Sequence, residues 1–243
     1  MSTYIFDIDG TLTPSRGLIN PEFLTWFYQF NQKHKVRLVT GSDKKKTIEQ
    51  IGVQLFNAVD CVYNTSGNTK HINGKCVYQA SDFILDEYPR KWLDRQLLES
   101  EYPVRTGRHF EIRPGLLNFS IVGRKATTDQ RREYALYDGY RKERVSISKE
   151  FNKKFAVWGL ESQVAGETGL DIIEIGKDKA QILKECDYSE SILFFGDNIQ
   201  PGGNDYGIAQ AIKYGPYKFS EVYSVKNWKQ TYSILKRHQS SSK

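Results

Sequence analysis

The chain has 243 residues, 39% of them hydrophobic and 26% charged, with a formal net charge of +6 and a pI near 9.0. That length suits one large domain, or a core carrying a smaller inserted one, and no apolar run is long enough to span a bilayer. The basic balance suits an anionic partner, with phosphorylated metabolites and nucleic acid both open. Cys61, Cys76 and Cys186 are odd in number and widely spaced, which fits neither a disulfide framework nor a zinc pattern. They predict reduced thiols in a cytoplasmic protein. The N-terminal stretch shows no basic region followed by an apolar core, so no signal peptide is expected.

Tyr4, Ile5 and Phe6 form the apolar end of a short buried strand, and Asp7 and Asp9 follow with one apolar residue between them. Gly10 breaks the strand, and Thr11 and Thr13 add hydroxyls. Two acids there repel each other and resist desolvation, so a cation is expected beside them. A divalent metal with oxygen ligands is the economical choice. A calcium loop of the EF-hand kind is set aside, because its glycine falls at the sixth position and Gly10 is fourth counting from Asp7. Two readings stay open: a polar turn with solvated acids, or phosphoryl transfer through an aspartyl phosphate. The second needs one carboxylate as nucleophile, another as acid/base, and a metal.

Further along, Phe23, Leu24, Phe27 and Phe30 recur at helical spacing, predicting a helix over 21–34 with Pro21 in its first turn. A strand follows at Val36–Val39, then Thr40-Gly41-Ser42-Asp43, then a helix from Lys44 to about Phe56 whose lysine run reads as a solvated face. Val59–Tyr63 is the third strand, Ser66-Gly67 a turn and Asn73-Gly74 a hairpin turn. The character then changes. Residues 82–101 read as an amphipathic helix, and His109–Arg113 and Leu116–Val122 as antiparallel strands joined at Pro114-Gly115. A long charged helix is expected from Thr128 to Phe151, with strands at Phe155–Trp158 and Leu170–Ile175. A helix from Lys179 resumes the βα alternation. A buried strand at Ile192–Phe195 runs into the glycine-rich loop Gly196–Asp205. A short helix, a strand near Val222 and a helix around Trp228–Leu235 come last, with His238–Lys243 as a polar tail.

The predicted fold is α/β: a Rossmann-like doubly wound parallel-sheet core with an inserted α+β cap domain. The expected boundaries are 1–81 and 178–243 for the core and 82–177 for the cap. Asp7, Thr40 and Asp197 each stand just past the C-terminal end of a short apolar strand. In such a sheet those ends share one edge, where ligands bind. Lys179 is a lone cation at a predicted helix start, where the dipole slightly disfavours it; it is either a surface lysine or a group with an acidic or anionic partner in the crevice.

The stretch from Tyr4 to Arg16 resembles motif I of the haloacid dehalogenase superfamily, which implies Asp7 as nucleophile and Asp9 as general acid/base. On the same resemblance Thr40 binds the transferring phosphate and Lys179 orders the nucleophile. Asp197 and Asp205 hold Mg²⁺ together with Asp7, with Asp9 in the same ligand set. The loop Phe194–Asp205, the segment Thr11–Arg16 and the segment Phe110–Arg124 are similar to eukaryotic-type phosphomannomutases, and the similarity covers nearly the whole chain. It implies that Arg16, Arg113, Arg124, Arg131 and Asp171 contact substrate. The three cap arginines also make sense by themselves, since a sugar phosphate carries an anion that fork-shaped guanidinium groups hold well.

The family pattern Gly-Gly-Gln-x-Ser-x-Asp is here Ala165-Gly166-Glu167-Thr168-Gly169-Leu170-Asp171, and Thr40 replaces a glycine of the mutases. The implied activity is a phosphomannomutase interconverting mannose 6-phosphate and mannose 1-phosphate through an aspartyl phosphate and a hexose bisphosphate. A hexose 1,6-bisphosphate activator, a hexose phosphate substrate and a homodimer through the cap go with it. The rivals are a Mg²⁺-dependent sugar phosphatase on the same fold and, more remotely, a basic nucleic-acid-binding protein with an inactive core. No stacking stripe or recognition motif supports nucleic acid, and no membrane association is expected.

Overall fold

Strand β1 (Ser2–Phe6) leads straight into Asp7, and both of its faces are covered, which is why Tyr4, Ile5 and Phe6 follow one another without a polar break. Tyr4 and Phe6 pack against Phe23, Phe27 and Phe30 of helix α1 (Pro21–Asn31), while Ile5 joins Phe194 and Ile208 in the opposite layer. Pro21 occupies the first turn of α1, and the Asn20 side chain caps it by accepting the Phe23 N–H at 3.1 Å. The structure is a computed structural model and describes residues 2–241.

The chain divides into two compact units: 1–79 with 179–200 and 205–243, and 80–178 with 201–204. Residues 201–204, expected within the core, group with the second unit. The first unit continues with β2 (Lys35–Val39), α2 (Lys44–Ile51), α3 (Val53–Ala58), β3 (Cys61–Asn64), β4 (Thr69–Ile72) and β5 (Lys75–Gln79). The helix expected over 44–56 is thus two helices, broken at Gly52, whose φ of 79° no continuing helix allows. The hairpin expected at Asn73-Gly74 joins β4 to β5, with φ values of 49° and 73° at those residues.

In the second unit α4 (Glu87–Glu99) is shorter than expected, and Phe83 precedes it in the apolar cluster. Strands β6 (Phe110–Arg113) and β7 (Leu116–Phe119) form the anticipated hairpin. The long helix is two, α5 (Thr128–Arg141) and α6 (Glu143–Phe155), with Lys142 left-handed between them at φ 57°. Asp138 explains the break. Its carboxylate accepts the Arg144 backbone N–H at 2.7 Å and pairs with the Arg144 guanidinium at 2.9 Å, so one side chain caps the start of the second helix. The strand expected at Phe155–Trp158 is a helix end and a 3₁₀ turn. Phe155 is buried among Tyr88, Trp92 and Phe151 instead, and the strand is β8 (Leu160–Ala165), beside β9 (Gly169–Glu174).

Back in the first unit, Lys179–Glu185 forms a 3₁₀ turn, followed by β10 (Ser191–Gly196), α7 (Tyr206–Tyr214), β11 (Glu221–Ser224) and α8 (Trp228–Ser241). Helix α8 carries the chain through most of the expected polar tail, and residues 242 and 243 lie outside the described residues.

The fold is α/β. The seven-stranded sheet has the order β11-β10-β1-β2-β3-β4-β5, parallel from β11 to β3 and extended by the antiparallel hairpin. The four-stranded antiparallel sheet of the second unit runs β6-β7-β9-β8. Its Leu117, Phe119, Leu170 and Ile172 pack with Tyr134, Phe151 and Phe155 of its helices. Among the described residues no helix is long and apolar enough to cross a membrane.

Candidate active site

Strands β1 and β10 are neighbours with Phe6 opposite Phe195, and the Asp7 N–H donates to the Phe195 carbonyl at 2.9 Å. Asp7 and Asp197 therefore leave the sheet side by side. They do so where the connections diverge to opposite sides of β1, the position at which open α/β sheets bind ligands. Lys179 lies beneath them, fully buried, with its ammonium 2.6 Å from Asp7 Oδ1 and 2.7 Å from Asp205 Oδ1. Carboxylate oxygens of Asp7, Asp197 and Asp205 all lie within 4.8 Å of one another. Asp7 Oδ2 is buried and has no hydrogen-bond partner among the described residues. Three carboxylates thus share one ammonium, with a buried oxygen left over. A hard divalent cation satisfies both the surplus charge and the orphaned oxygen.

Glycines make room for this cluster. A Cβ on Gly10 would stand 2.2 Å from Asp197 Oδ2, and one on Gly196 would stand 2.7 Å from Asp205 Oδ2. Gly10 also needs its φ of 84°, which turns the chain sharply after Asp9. Burial pushes the Asp7 carboxyl up to about 7, with Lys179 opposing and Asp205 adding to the rise. Asp197 goes up to about 8, through desolvation and the charges of Asp7 and Asp205, although part of its side chain meets solvent. Burial works to lower Lys179, but Asp205 and Asp7 outweigh it and raise the group, so it stays an ammonium.

The Asp9 carboxylate lies outside the group formed by those of Asp7, Asp197 and Asp205. Its carboxylate is taken up by the Arg16 N–H at 2.6 Å, Gln50 Nε2 at 2.9 Å, the Ser42 hydroxyl at 3.2 Å and Lys46 at 3.6 Å. Burial raises its pKa, but Lys46 and these donors more than reverse that, so Asp9 is held ionised. The lysine run is accordingly not all solvated face, since Lys46 turns in to Asp9. Gln50 lies one helical turn after Lys46 and also bonds Thr13 at 3.1 Å. That i, i+4 spacing in α2 was the available signal for both. Arg16, Leu18, Asp43, Lys46 and Gln50 line a cleft of about 470 Å³. Thr40 is buried just past β2, with its hydroxyl accepting the Ser42 N–H at 3.1 Å.

In the second unit a polar row crosses one face of the sheet. Glu111, Asn118, Asp171 and Gln163 are consecutive register partners across its four strands. Glu111 pairs with Arg113 at 3.0 Å and with Arg124 at 2.5 Å. Arg124 also donates to Asn118 Oδ1 at 3.1 Å, and Asn118 donates to Asp171 Oδ1 at 2.7 Å. Arg131 faces Glu167 at 3.7 Å. The structure thus links Arg113, Arg124 and Asp171 through Glu111 and Asn118, two side chains the sequence reading passed over. Glu111 was marked by its alternation with Arg113, since residues two apart share a strand face.

A model of the eukaryotic phosphomannomutase family matches residues 23–237, most of the chain. The chain belongs to the eukaryotic phosphomannomutase family. It is similar to phosphomannomutases of Glycine max (32% identical over 212 residues, covering 85% of this chain and 86% of that one) and Saccharomyces cerevisiae (33% over 211 residues, 84% and 83%). That of Drosophila melanogaster is 33% identical over 214 residues, covering 84% of each chain. Solved structures add the fold. IMP-bound Plasmodium falciparum IMP-nucleotidase superimposes with a TM-score of 0.61 at 15% identity, over 97% of this chain and 67% of that one. The C-terminal domain of Candida albicans trehalose-6-phosphate phosphatase gives 0.60 at 16% identity, over 96% and 90%.

The family match begins at Phe23, so Asp7, Asp9 and Arg16 lie outside the matched residues. Two departures from the phosphomannomutase pattern have visible surroundings. A Cβ on Gly169 would meet Asn118 Nδ2 at 2.6 Å, so the missing side chain is space that Asn118 occupies. Thr168 does not replace it openly, because its hydroxyl is buried without a hydrogen-bond partner among the described residues.

Proposed function

We propose that the protein is a Mg²⁺-dependent phosphomannomutase that interconverts mannose 6-phosphate and mannose 1-phosphate through phospho-Asp7 and a hexose 1,6-bisphosphate. In this reading 1–81 and 178–243 form the catalytic core and 82–177 the cap, and the protein works in the cytoplasm. Its three free cysteines fit a reducing compartment. The observation that carries the proposal is Asp7: a buried carboxylate at a sheet switch point, with one oxygen on Lys179 and the other without a hydrogen-bond partner among the described residues. Asp7, Asp197 and Asp205 would hold Mg²⁺, which supplies positive charge to the oxygens of the transferring phosphoryl group.

The chain's own residues do the rest. Lys179 offsets the charge of Asp7, so that an anion can approach an anion. Phospho-Asp7 gives its phosphoryl group to a sugar hydroxyl: a new P–O bond forms, the P–O bond to Asp7 breaks, and the hydroxyl proton goes to Asp9. The ionised state of Asp9 suits it to accept that proton. In the second half Asp7 attacks the other phosphate of the bisphosphate, and Asp9 returns the proton to the departing sugar oxygen. Thr40 helps seat the transferring phosphate. Arg16, Arg113, Arg124 and Arg131 hold the distal phosphate, and Asp171 holds a sugar hydroxyl. A homodimer through the cap belongs to this reading, and Leu136 and Tyr140, one turn apart on α5, are exposed apolar residues that suit it.

The deciding experiment incubates the protein with mannose 1-phosphate and Mg²⁺, with and without a hexose 1,6-bisphosphate, and follows isomer and free phosphate together. Isomer formation stimulated by bisphosphate is the expected result. Phosphate release with no isomer under either condition overturns the mutase reading in favour of a sugar phosphatase.

A further inference from the structure

The three arginines of the second unit assigned to the distal phosphate, Arg113, Arg124 and Arg131, all face carboxylates of the same unit, but the two acids involved are held very differently. Glu111 lies on strand β6 between two guanidinium groups, at 3.0 Å and 2.5 Å. Glu167 sits in the turn between β8 and β9, its side chain 39% exposed, and stands 3.7 Å from an Arg131 side chain that is 8% exposed. That separation is longer than a hydrogen bond. The backbone beneath Glu167 is nevertheless fixed. Arg144 Nη1 donates to the carbonyls of Gly166 at 2.8 Å, Gly169 at 3.2 Å and Ala165 at 3.4 Å, and Asp138 anchors the same guanidinium. A firm turn therefore presents a loosely held carboxylate to a buried arginine.

We propose that Glu167 is an internal rival for the phosphate at Arg131, a specificity-determining side chain that the incoming anion displaces by rotating it toward solvent. This rests on the assignment of Arg131 to the distal phosphate. Glu167 offsets part of the guanidinium charge while no ligand is bound, which lowers the cost of keeping Arg131 buried. It also repels a phosphate bound there, so the site favours ligands charged strongly enough to replace it. A half-exposed ion pair is a weak rival, so the effect is modest.

The test is calorimetric titration with mannose 1-phosphate, without metal or turnover, for the wild type, Glu167→Gln, Arg131→Gln and the double variant. Glu167→Gln is expected to tighten binding about two- to fivefold and to lower KM in parallel. In the Arg131→Gln background the same change should do nothing. Unchanged or weaker binding by Glu167→Gln overturns the proposal, weaker binding meaning that Glu167 holds the sugar itself. Equal tightening in both backgrounds also overturns it, since that would be a diffuse charge effect. Because binding is read without turnover, a wild type that makes no isomer would defeat the mutase reading and leave this one to be judged by the titration.

Discussion

The acids of the first unit and the arginines of the second differ in what their neighbours leave unbalanced. Around Asp7, Asp197 and Asp205 there is one ammonium, and a buried oxygen lacks a hydrogen-bond partner among the described residues. Around Arg113, Arg124 and Arg131 the carboxylates of Glu111 and Glu167 already offset most of the charge. The first cluster is incomplete until a cation arrives. The second already carries counter-charges, and a phosphate bound as proposed would have to exchange for them. A buried charge left without a partner costs several kcal/mol, whereas a paired one near solvent is nearly neutral. The two sites should therefore respond to mutation on different scales.

The largest effect is expected at Asp7. Asp7→Asn keeps the shape but not the nucleophile, and isomerisation should fall to background, a loss of at least roughly 10⁴-fold. Measurable turnover by a clean preparation of that variant would contradict the assignment. Lys179→Met comes next, because it strands two buried carboxylates. It should destabilise the fold by about 3–5 kcal/mol in chelator, read by chemical denaturation, and added Mg²⁺ should recover part of the loss. A variant as stable as wild type would mean the cluster was not strained by its charge. Asp197→Ala should then abolish the rise in melting temperature that Mg²⁺ gives the wild type, a stabilisation of about 2.7 kcal/mol at a hundredfold excess over Kd. An equal rise in both proteins would place the ion elsewhere.

In the second unit the changes should be gentler and more selective. Arg124→Ala leaves Glu111 its other partner, Arg113, so stability should hold. Isomerisation should fall roughly ten- to a hundredfold through the lost charge-assisted contact. Hydrolysis of acetyl phosphate, which is too short to need a distal site, should survive. Parallel loss of both activities would point to a folding defect. The smallest test asks whether the first unit excludes solvent as firmly as the burial of Asp7 requires. A thiol reagent at neutral pH should modify exposed Cys76 quickly, and buried Cys61 and Cys186 slowly. Burial pushes Cys61 up to about 11 and raises Cys186 as well. Three equally fast thiols would refute that.

The strand ends were legible because a doubly wound sheet turns sequence position into location: Phe6 and Phe195 are partners, so the acids that follow them meet. Helix breaks were not. Lys142 is an ordinary helix former, and what stops the helix is the Asp138 side chain capping the residues beyond it. The stretch Phe155–Trp158 looks like a strand by composition, yet Phe155 is buried among rings of α4 and α6 while Val157 and Trp158 are exposed. In the site, residue types announced the acids, but composition could not say which acid keeps company with which. The Asp9 carboxylate is held by Lys46 and Gln50 of α2 as well as by Ser42 and the Arg16 N–H, contacts that the motif alone does not specify.

Gly10 bears on how this protein could be rescued once damaged. Its φ of 84° and the 2.2 Å approach of Asp197 Oδ2 to a would-be Cβ are separate obstacles to any side chain there. In a suppressor screen starting from Gly10→Ala, shortening the residue at 197 would relieve the collision, but only by deleting a carboxylate from the acidic cluster. No second-site change would relieve the left-handed backbone, which costs an alanine about 1–2 kcal/mol wherever its neighbours stand. Genetic repair through the acidic cluster should therefore fail, and revertants to Gly10 should outnumber second-site changes, which are left to offset the backbone cost by stabilising the fold elsewhere.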